Sequence, residues 1–259
     1  MLSELAQHTR ERWQSVDRKA LTEKYTRMIE SVRAPRSLIQ EIQKDQMLSF
    51  LFEIKRKSPS KGEMNSTINP VRQALLYQEY HAAGVSVITE EKHFGGSLDD
   101  LSEVSATVDI PVLRKDFVID KLQVLEARAH GADVILLIVK LLAEETADYL
   151  RLCAEYGLEA IVEIHSEDEL QIARTAGAKI IGINNRNLDT LEIDLDTTAK
   201  LLPKIPAGHI VISESGITDR KSVDSMRVLG VDAVLIGSVL SLAESVEAKL
   251  EELTECRRR

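Results

Sequence analysis

"AHGADVILLIVK" (129–140) runs from the polar end of a helical pattern through a glycine and a two-residue turn into Val134–Val139, six apolar residues in a row. The glycine suits the left-handed position that closes a helix. The unbroken Val/Ile/Leu run suits a strand covered on both faces, as strands of a parallel sheet are. The same phrase returns as "AAGVSVITE" (82–90), "EYGLEAIVEI" (155–164), "TAGAKIIGIN" (175–184) and "VLGVDAVLIGS" (228–238). Three further runs have strand character without the glycine junction: "MLSFLFEIK" (47–55), "VDIPVLRKD" (108–116) and "HIVISES" (209–215).

That makes eight candidate strands. Helical patterns separate them, among them "NPVRQALLYQEYHAA", "KLQVLEARAH", "AEETADYLRLCAEY" and "SEDELQIARTA". The last opens with Ser166 and Glu169 at capping-box spacing. Eight alternations of strand and helix predict an α/β fold of the (β/α)8 barrel type. An open doubly wound sheet is the rival, but no GxGxxG follows the first strand. Residues 1–46 precede that strand and read as helices interrupted at Pro35. We expect a single barrel domain over residues 1–259, with 1–46 as a helical N-terminal extension.

The chain has 259 residues, is 44% hydrophobic and 29% charged, and carries a formal charge of -9. An acidic surface argues against nucleic acid or an anionic membrane as partner, so an anionic ligand must be captured locally. Cys153 and Cys256 stand in unrelated contexts, with no CxxC or Cys/His cluster for a disulfide framework or a zinc site. The first residues lack the apolar core of a signal peptide, and no stretch reaches membrane-spanning length. A cytoplasmic, monomeric protein is expected.

In such barrels the reactive groups gather at the C-terminal ends of the strands. Here those ends carry Glu53 and Lys55, Lys115 and Asp116, Lys140, Glu163, Asn184 and Asn185, then Glu214 and Ser215, then Gly237 and Ser238. The second strand, ending at Thr89-Glu90-Glu91, adds nothing as clear. Residues two apart share one side of a strand, so Glu53 and Lys55 both face the interior and Arg114 points away from it. "SESGI" (213–217) and "LIGSVL" (235–240) follow strands seven and eight, where barrels of this type bind phosphate through backbone N–H groups. Lys61, Lys121 and Lys140 read as solvated loop cations, and His165 as structural or solvated. The loop from Ser58 to about Asn69, with Gly62, is expected to be mobile without ligand.

"EIKRKSPSKG", "PVLRKDFVID", "ADVILLIVK", "IGINNRNLDTLEID" and "SESGI…LIGSVL", in that order, resemble the indole-3-glycerol-phosphate synthase family over essentially the whole chain. The resemblance implies ring closure of 1-(2-carboxyphenylamino)-1-deoxyribulose 5-phosphate with loss of CO₂ and water, without metal or organic cofactor. It implies Lys115 as the general acid of ring closure, with Glu163 as the carboxylate that works with it. Lys55 and Glu53 match a second pair used in binding and dehydration, and Asn184 and Glu214 further active-site groups. Arg186 matches the site of the substrate carboxylate. Ser215, Gly216, Gly237 and Ser238, joined by Ser58, match the phosphate site. "EEKHFGGS" departs from the pattern, with His93 where the family has an aromatic.

Two other readings remain open on the residues alone. A phosphoribosylanthranilate isomerase would use a cysteine, and none stands at a strand end here. A barrel that binds a phosphorylated ligand without catalysis would be expected to have lost Lys115 or Glu163, and both are present.

Overall fold

A computed structural model describes residues 2–44 and 47–255, the side chains of residues 3–5 excepted. Cys256 lies outside the described residues. Eight parallel strands close into a barrel: β1 Ser49–Ile54, β2 Gly84–Ile88, β3 Val112–Lys115, β4 Val134–Ile138, β5 Glu159–Ile164, β6 Ile180–Asn184, β7 Ile210–Glu214 and β8 Ala233–Ile236. Their order around the barrel is that of the sequence, and β1 meets β8 with Ser49 opposite Ala233. This is the (β/α)8 barrel that the repeated phrase predicts.

Alternation along the strands divides the core in two. Phe50, Phe52, Val85, Val87, Ile135, Leu137, Ile181 and Ile183 face outward and pack under the surrounding helices. Leu51, Leu113, Leu136, Ile161, Ile212 and Leu235 fill the barrel itself. These strand residues are nearly all fully buried, each worth roughly 1.5–3 kcal/mol of transfer free energy. Four of the interior ones, Leu51, Leu113, Ile161 and Ile212, stand two positions before Glu53, Lys115, Glu163 and Glu214. The apolar filling therefore forms a floor under a polar layer.

Three helices precede the barrel: α1 Leu2–Gln14, α2 Arg18–Ser31 and α3 Leu38–Gln43. The last one plugs the barrel's N-terminal end. Leu38 and Ile42 join the interior cluster, while Glu159 accepts hydrogen bonds from Ser37 Oγ and the amides of Leu38 and Ile39. Arg33 adds a fork to Asp133, 2.6 and 2.7 Å. Ten-residue helices then follow most strands, including α4 Pro70–Glu79, capped by Asn69. The next ones are α5 Glu91–Phe94, α6 Leu98–Thr107, α7 Leu122–Ala129, α8 Val139–Leu142, α9 Thr146–Glu155 and α10 Glu167–Ala176. They are followed by α11 Asp196–Leu201, α12 Arg220–Leu229, α13 Ser238–Ser241 and α14 Val246–Thr254. Among the described residues no helix is long and apolar enough to cross a membrane.

One junction differs from its expectation. Gly131, Gly157, Gly177 and Gly230 take the left-handed conformation, but in "AAGVSVITE" that conformation falls to His81 (φ 57°). Gly84 is instead the first residue of β2. A Cβ there would lie 3.0 Å from the Pro111 carbonyl and 3.3 Å from Leu38, so this glycine serves close packing.

Candidate active site

The C-terminal ends of the strands surround a cavity of about 1070 Å³, its open mouth included. Its floor is charged. Glu53 and Glu214 are almost wholly buried, as is Glu163, and they face Lys55 and Lys115. Lys55 Nζ donates to Glu53 Oε1 at 2.8 Å. Lys115 Nζ donates to Glu214 Oε2 at 2.8 Å and lies 3.6 Å from Glu163 Oε2. Three carboxylates thus share two ammonium groups.

The electrostatics follow from that count. Burial lowers the affinity of Lys115 for its proton, but Glu214, Glu163 and Glu53 outweigh it and hold the group above the ordinary lysine range. Burial pushes Glu214 up to about 7, against Lys115 and with help from Glu163. Burial also acts on Glu53, yet Lys55, Lys115 and Ser86 keep its pKa below the usual carboxylate range.

Room for these carboxylates is made by two missing side chains. A Cβ on Gly182 of β6 would stand 2.3 Å from Glu214 Oε1, and one on Gly237 would stand 2.6 Å from Glu53 Oε1. Gly182 went unread in the sequence, because a glycine inside a strand gives no hint of what it faces. Next to the charged floor, Phe94, Phe117, Leu188 and Ile193 form an apolar wall. The rings of Phe94 and Phe117 lie 6.2 Å apart at their centroids and are tilted by 52°, the spacing of an aromatic pair in contact. His93 turns away from this wall toward Glu90 and His8. Phe94, one residue on, supplies the aromatic.

Where β7 and β8 end, Ser215, Gly216, Thr218, Gly237 and Ser238 line the cavity. Ser215 and Gly216 are both left-handed, at φ 68° and 83°, which folds the backbone back sharply after Glu214. Gly237 immediately precedes α13. Among the described residues no group of three or more histidine, cysteine, aspartate or glutamate side chains is placed to hold a metal ion.

A model of the family "Indole-3-glycerol phosphate synthase" matches residues 2–253. The chain belongs to this family. It is 44% identical over 214 residues to the indole-3-glycerol phosphate synthase of Dehalococcoides mccartyi, covering 81% of this chain and 83% of the relative. With that of Aquifex aeolicus it shares 45% over 207 residues, covering 79% and 80%. Among solved structures, 3-hexulose-6-phosphate synthase from Salmonella typhimurium is similar with a TM-score of 0.64 at 14% identity, over 80% of this chain and 97% of that one. Thiamine phosphate pyrophosphorylase from Pyrococcus furiosus gives 0.59 at 18%, over 81% and 95%. At those identities the two structures establish the barrel alone.

Within this synthase-family site, the residues expected at the strand ends separate into two groups. Glu53, Lys55, Lys115, Glu163, Asn184, Glu214, Arg186, Ser215, Gly216, Gly237 and Ser238 all line the cavity. Ser58 does not: it is buried in the small hairpin after β1, where its Oγ accepts from the Lys61 amide. Lys61, expected in solvent, lines the cavity. Lys121 and Lys140 are part of surface pairs with Asp148 and Asp189. Asn185 ties β6 to β7 through Ser213, Glu214 and Ser215 and is bonded by Thr198. Asp116 lines the cavity, but its carboxylate is committed to Thr89 and Arg114. Glu90, which the sequence left without a part, lies buried in the cavity wall and caps α5 through the amides of His93 and Phe94.

His165 takes the structural one of its two expected places, held between two glutamates. Its Nε2 lies 3.4 Å from Glu163 Oε1, and its Nδ1 lies 3.1 Å from Glu169 Oε2. The capping box accounts for this. Ser166 accepts from the Glu169 amide as predicted, but the Glu169 carboxylate reaches one residue further back, to the amide and ring of His165.

Proposed function

We propose that the two Lys/Glu groups divide the work of indole-3-glycerol phosphate synthesis between them. As a member of its family the chain is a carboxy-lyase of tryptophan biosynthesis. The observation that carries the assignment of roles is the Lys115 ammonium, bracketed by Glu214 and Glu163 at the centre of the cavity floor.

Carbon–carbon bond formation onto the ribulose carbonyl leaves negative charge on oxygen. Lys115 is the proton donor to that oxygen, kept charged by its carboxylates until the charge develops. Carbon dioxide then leaves the ring carbon. Dehydration needs an acid at the departing hydroxyl and a base at the ring proton, and the pair Lys55–Glu53 supplies them. Ser215, Gly216, Gly237 and Ser238 hold the phosphate, with backbone and hydroxyl donors where β7 and β8 end. Arg186 and Lys61 meet the substrate carboxylate from the mouth, and the Phe94–Phe117 wall takes the aromatic ring. Every group in this scheme comes from one chain.

The test follows CO₂ and indole fluorescence together in Lys115→Met and Lys55→Met. Loss of a general acid lowers kcat by about 10²–10⁴-fold, so Lys115→Met is expected to lose both signals to that extent. Lys55→Met is expected to release CO₂ in a single turnover ahead of indole. Parental kcat in Lys115→Met would discard the assignment.

A further inference from the structure

The reaction consumes a proton. The substrate enters as a carboxylate anion and the carboxylate leaves as neutral CO₂. Substrate anion plus one proton therefore gives indole-3-glycerol phosphate, CO₂ and water. Lys115 lines the cavity that the substrate fills, so with substrate bound each turnover has to draw that proton inward by another route.

One chain of side chains leads that way. Glu163 Oε1, on the side of the carboxylate turned from Lys115, is buried without a hydrogen-bond partner among the described residues, and so is His165 Nε2. These two atoms lie 3.4 Å apart. Beyond the ring, Nδ1 is held by Glu169 Oε2, which also accepts from the His165 amide at 2.7 Å. The side chains of His165 and Glu169 are 12% and 16% exposed, against 2% for Glu163, so the row climbs from the floor toward solvent.

We propose that His165, held by Glu169, is the positioning residue and proton store for Glu163. Two bare acceptors 3.4 Å apart repel, whereas a proton on Nε2 turns the contact into a charge-assisted hydrogen bond. In the transfer, the Nε2–H bond breaks, an O–H bond forms on Glu163 Oε1, and the electron pair stays on nitrogen. Glu163, 3.6 Å from Lys115, then restores the proton that Lys115 gave to the substrate oxygen. The ring regains its proton from water as product leaves. Glu169 keeps the Nδ1–H in place throughout, fixing the ring's orientation.

The charge around the ring suits this part. Glu163 on its own strand, Glu169 on α10, Glu214 on β7 and Asp189 after β6 all lie near it. Lys115 on β3 and Lys140 on α8 are engaged by Glu214 and Asp189. Burial disfavours the imidazolium, but Glu169 and Glu163 prevail and raise its pKa above the ordinary histidine value.

The inference rests on the assignment of Lys115 and Glu163 above, and the experiment separates the two. Parent enzyme, His165→Gln and Glu169→Gln are compared by kcat and KM against pH, with and without added imidazole. A proton store one transfer removed from the substrate contributes less than the general acid itself, whose loss costs about 10²–10⁴-fold, and His165→Gln is expected to lose about tenfold to a hundredfold in kcat. Its KM should stay within about twofold of the parent, and imidazole should restore part of kcat. Glu169→Gln leaves the ring in place and is expected to move the alkaline limb of kcat to lower pH. It carries the test if His165→Gln does not fold. An unchanged limb in Glu169→Gln, or a loss in His165→Gln equal at every pH and indifferent to imidazole, overturns the proposal. A parent that yields no indole overturns the earlier assignment instead.

Discussion

Lys115 Nζ is hydrogen-bonded to Glu214 Oε2 at 2.8 Å although 99 residues separate them in the chain. The contact joins β3 to β7 across the full width of the barrel. It brings a cation to a carboxylate that burial alone would leave neutral, and it fixes the height of the ammonium above the apolar floor.

Glu214 is expected to make stability depend on pH in a direction unusual for a carboxylate. Its pKa rises from the ordinary 4.5 to about 7 in the folded protein. The native state therefore binds more protons than the unfolded state between those values. The stability it contributes is complete below pH 4.5 and is lost as pH rises through about 7. Urea unfolding of parent and Glu214→Gln should show the parent losing on the order of 2–3 kcal/mol relative to the variant between pH 4.5 and 8. A pH-independent difference between the two would count against the raised pKa.

Gly237→Ala should damage catalysis without replacing an acid or base group. The new Cβ would stand 2.6 Å from Glu53 Oε1 and 2.9 Å from Glu53 Cβ. The carboxylate has to move, and its bond to Lys55 moves with it. A misplacement of about 1 Å costs on the order of 10²-fold, and a loss of that size in kcat is expected. Parental kcat would show that Glu53 has freedom the geometry denies it.

Arg114→Met should be among the most destabilising single changes in the barrel wall. Arg114 is fully buried, and its guanidinium binds Glu126 Oε2 at 2.7 Å and Asp116 Oδ2 at 3.1 Å, with the Gln123 carbonyl at 3.0 Å. Tyr25 of α2 reaches the same Glu126 at 2.7 Å. Removing one partner of a buried ion pair costs about 3–5 kcal/mol, to be read by denaturant unfolding. Adding Glu126→Gln should recover part of the loss, since it removes one stranded charge. A change below about 1 kcal/mol would mean that the network behaves like a surface pair.

The barrel was legible because its signal is local. Val134–Ile138 is apolar on both faces, and so is each strand like it, whatever lies elsewhere in the chain. Alternation is equally local, which is why Glu53 and Lys55 could be set inward and Arg114 outward from their neighbours alone. Contacts across the barrel were out of reach. Nothing near Gly182 announces Glu214, and nothing near Lys115 announces it either, 99 residues away. The pairing of His165 with Glu169 had a visible sign in the capping-box spacing. The box pointed to the helix end, however, and which amide the glutamate would choose depends on the turn after β5.

The plug formed by α3 has a consequence for the protein as it is being made. Leu38 and Ile39 are hydrogen-bonded to Glu159, 121 and 120 residues later in the chain. At about 5–20 residues per second on a ribosome, the helix waits roughly 6–24 seconds for its seat to be synthesised. Through that interval Leu38 and Ile42 have no barrel interior to enter. The seam between β1 and β8 waits longer still, so the first strand to leave the ribosome is among the last to acquire both neighbours.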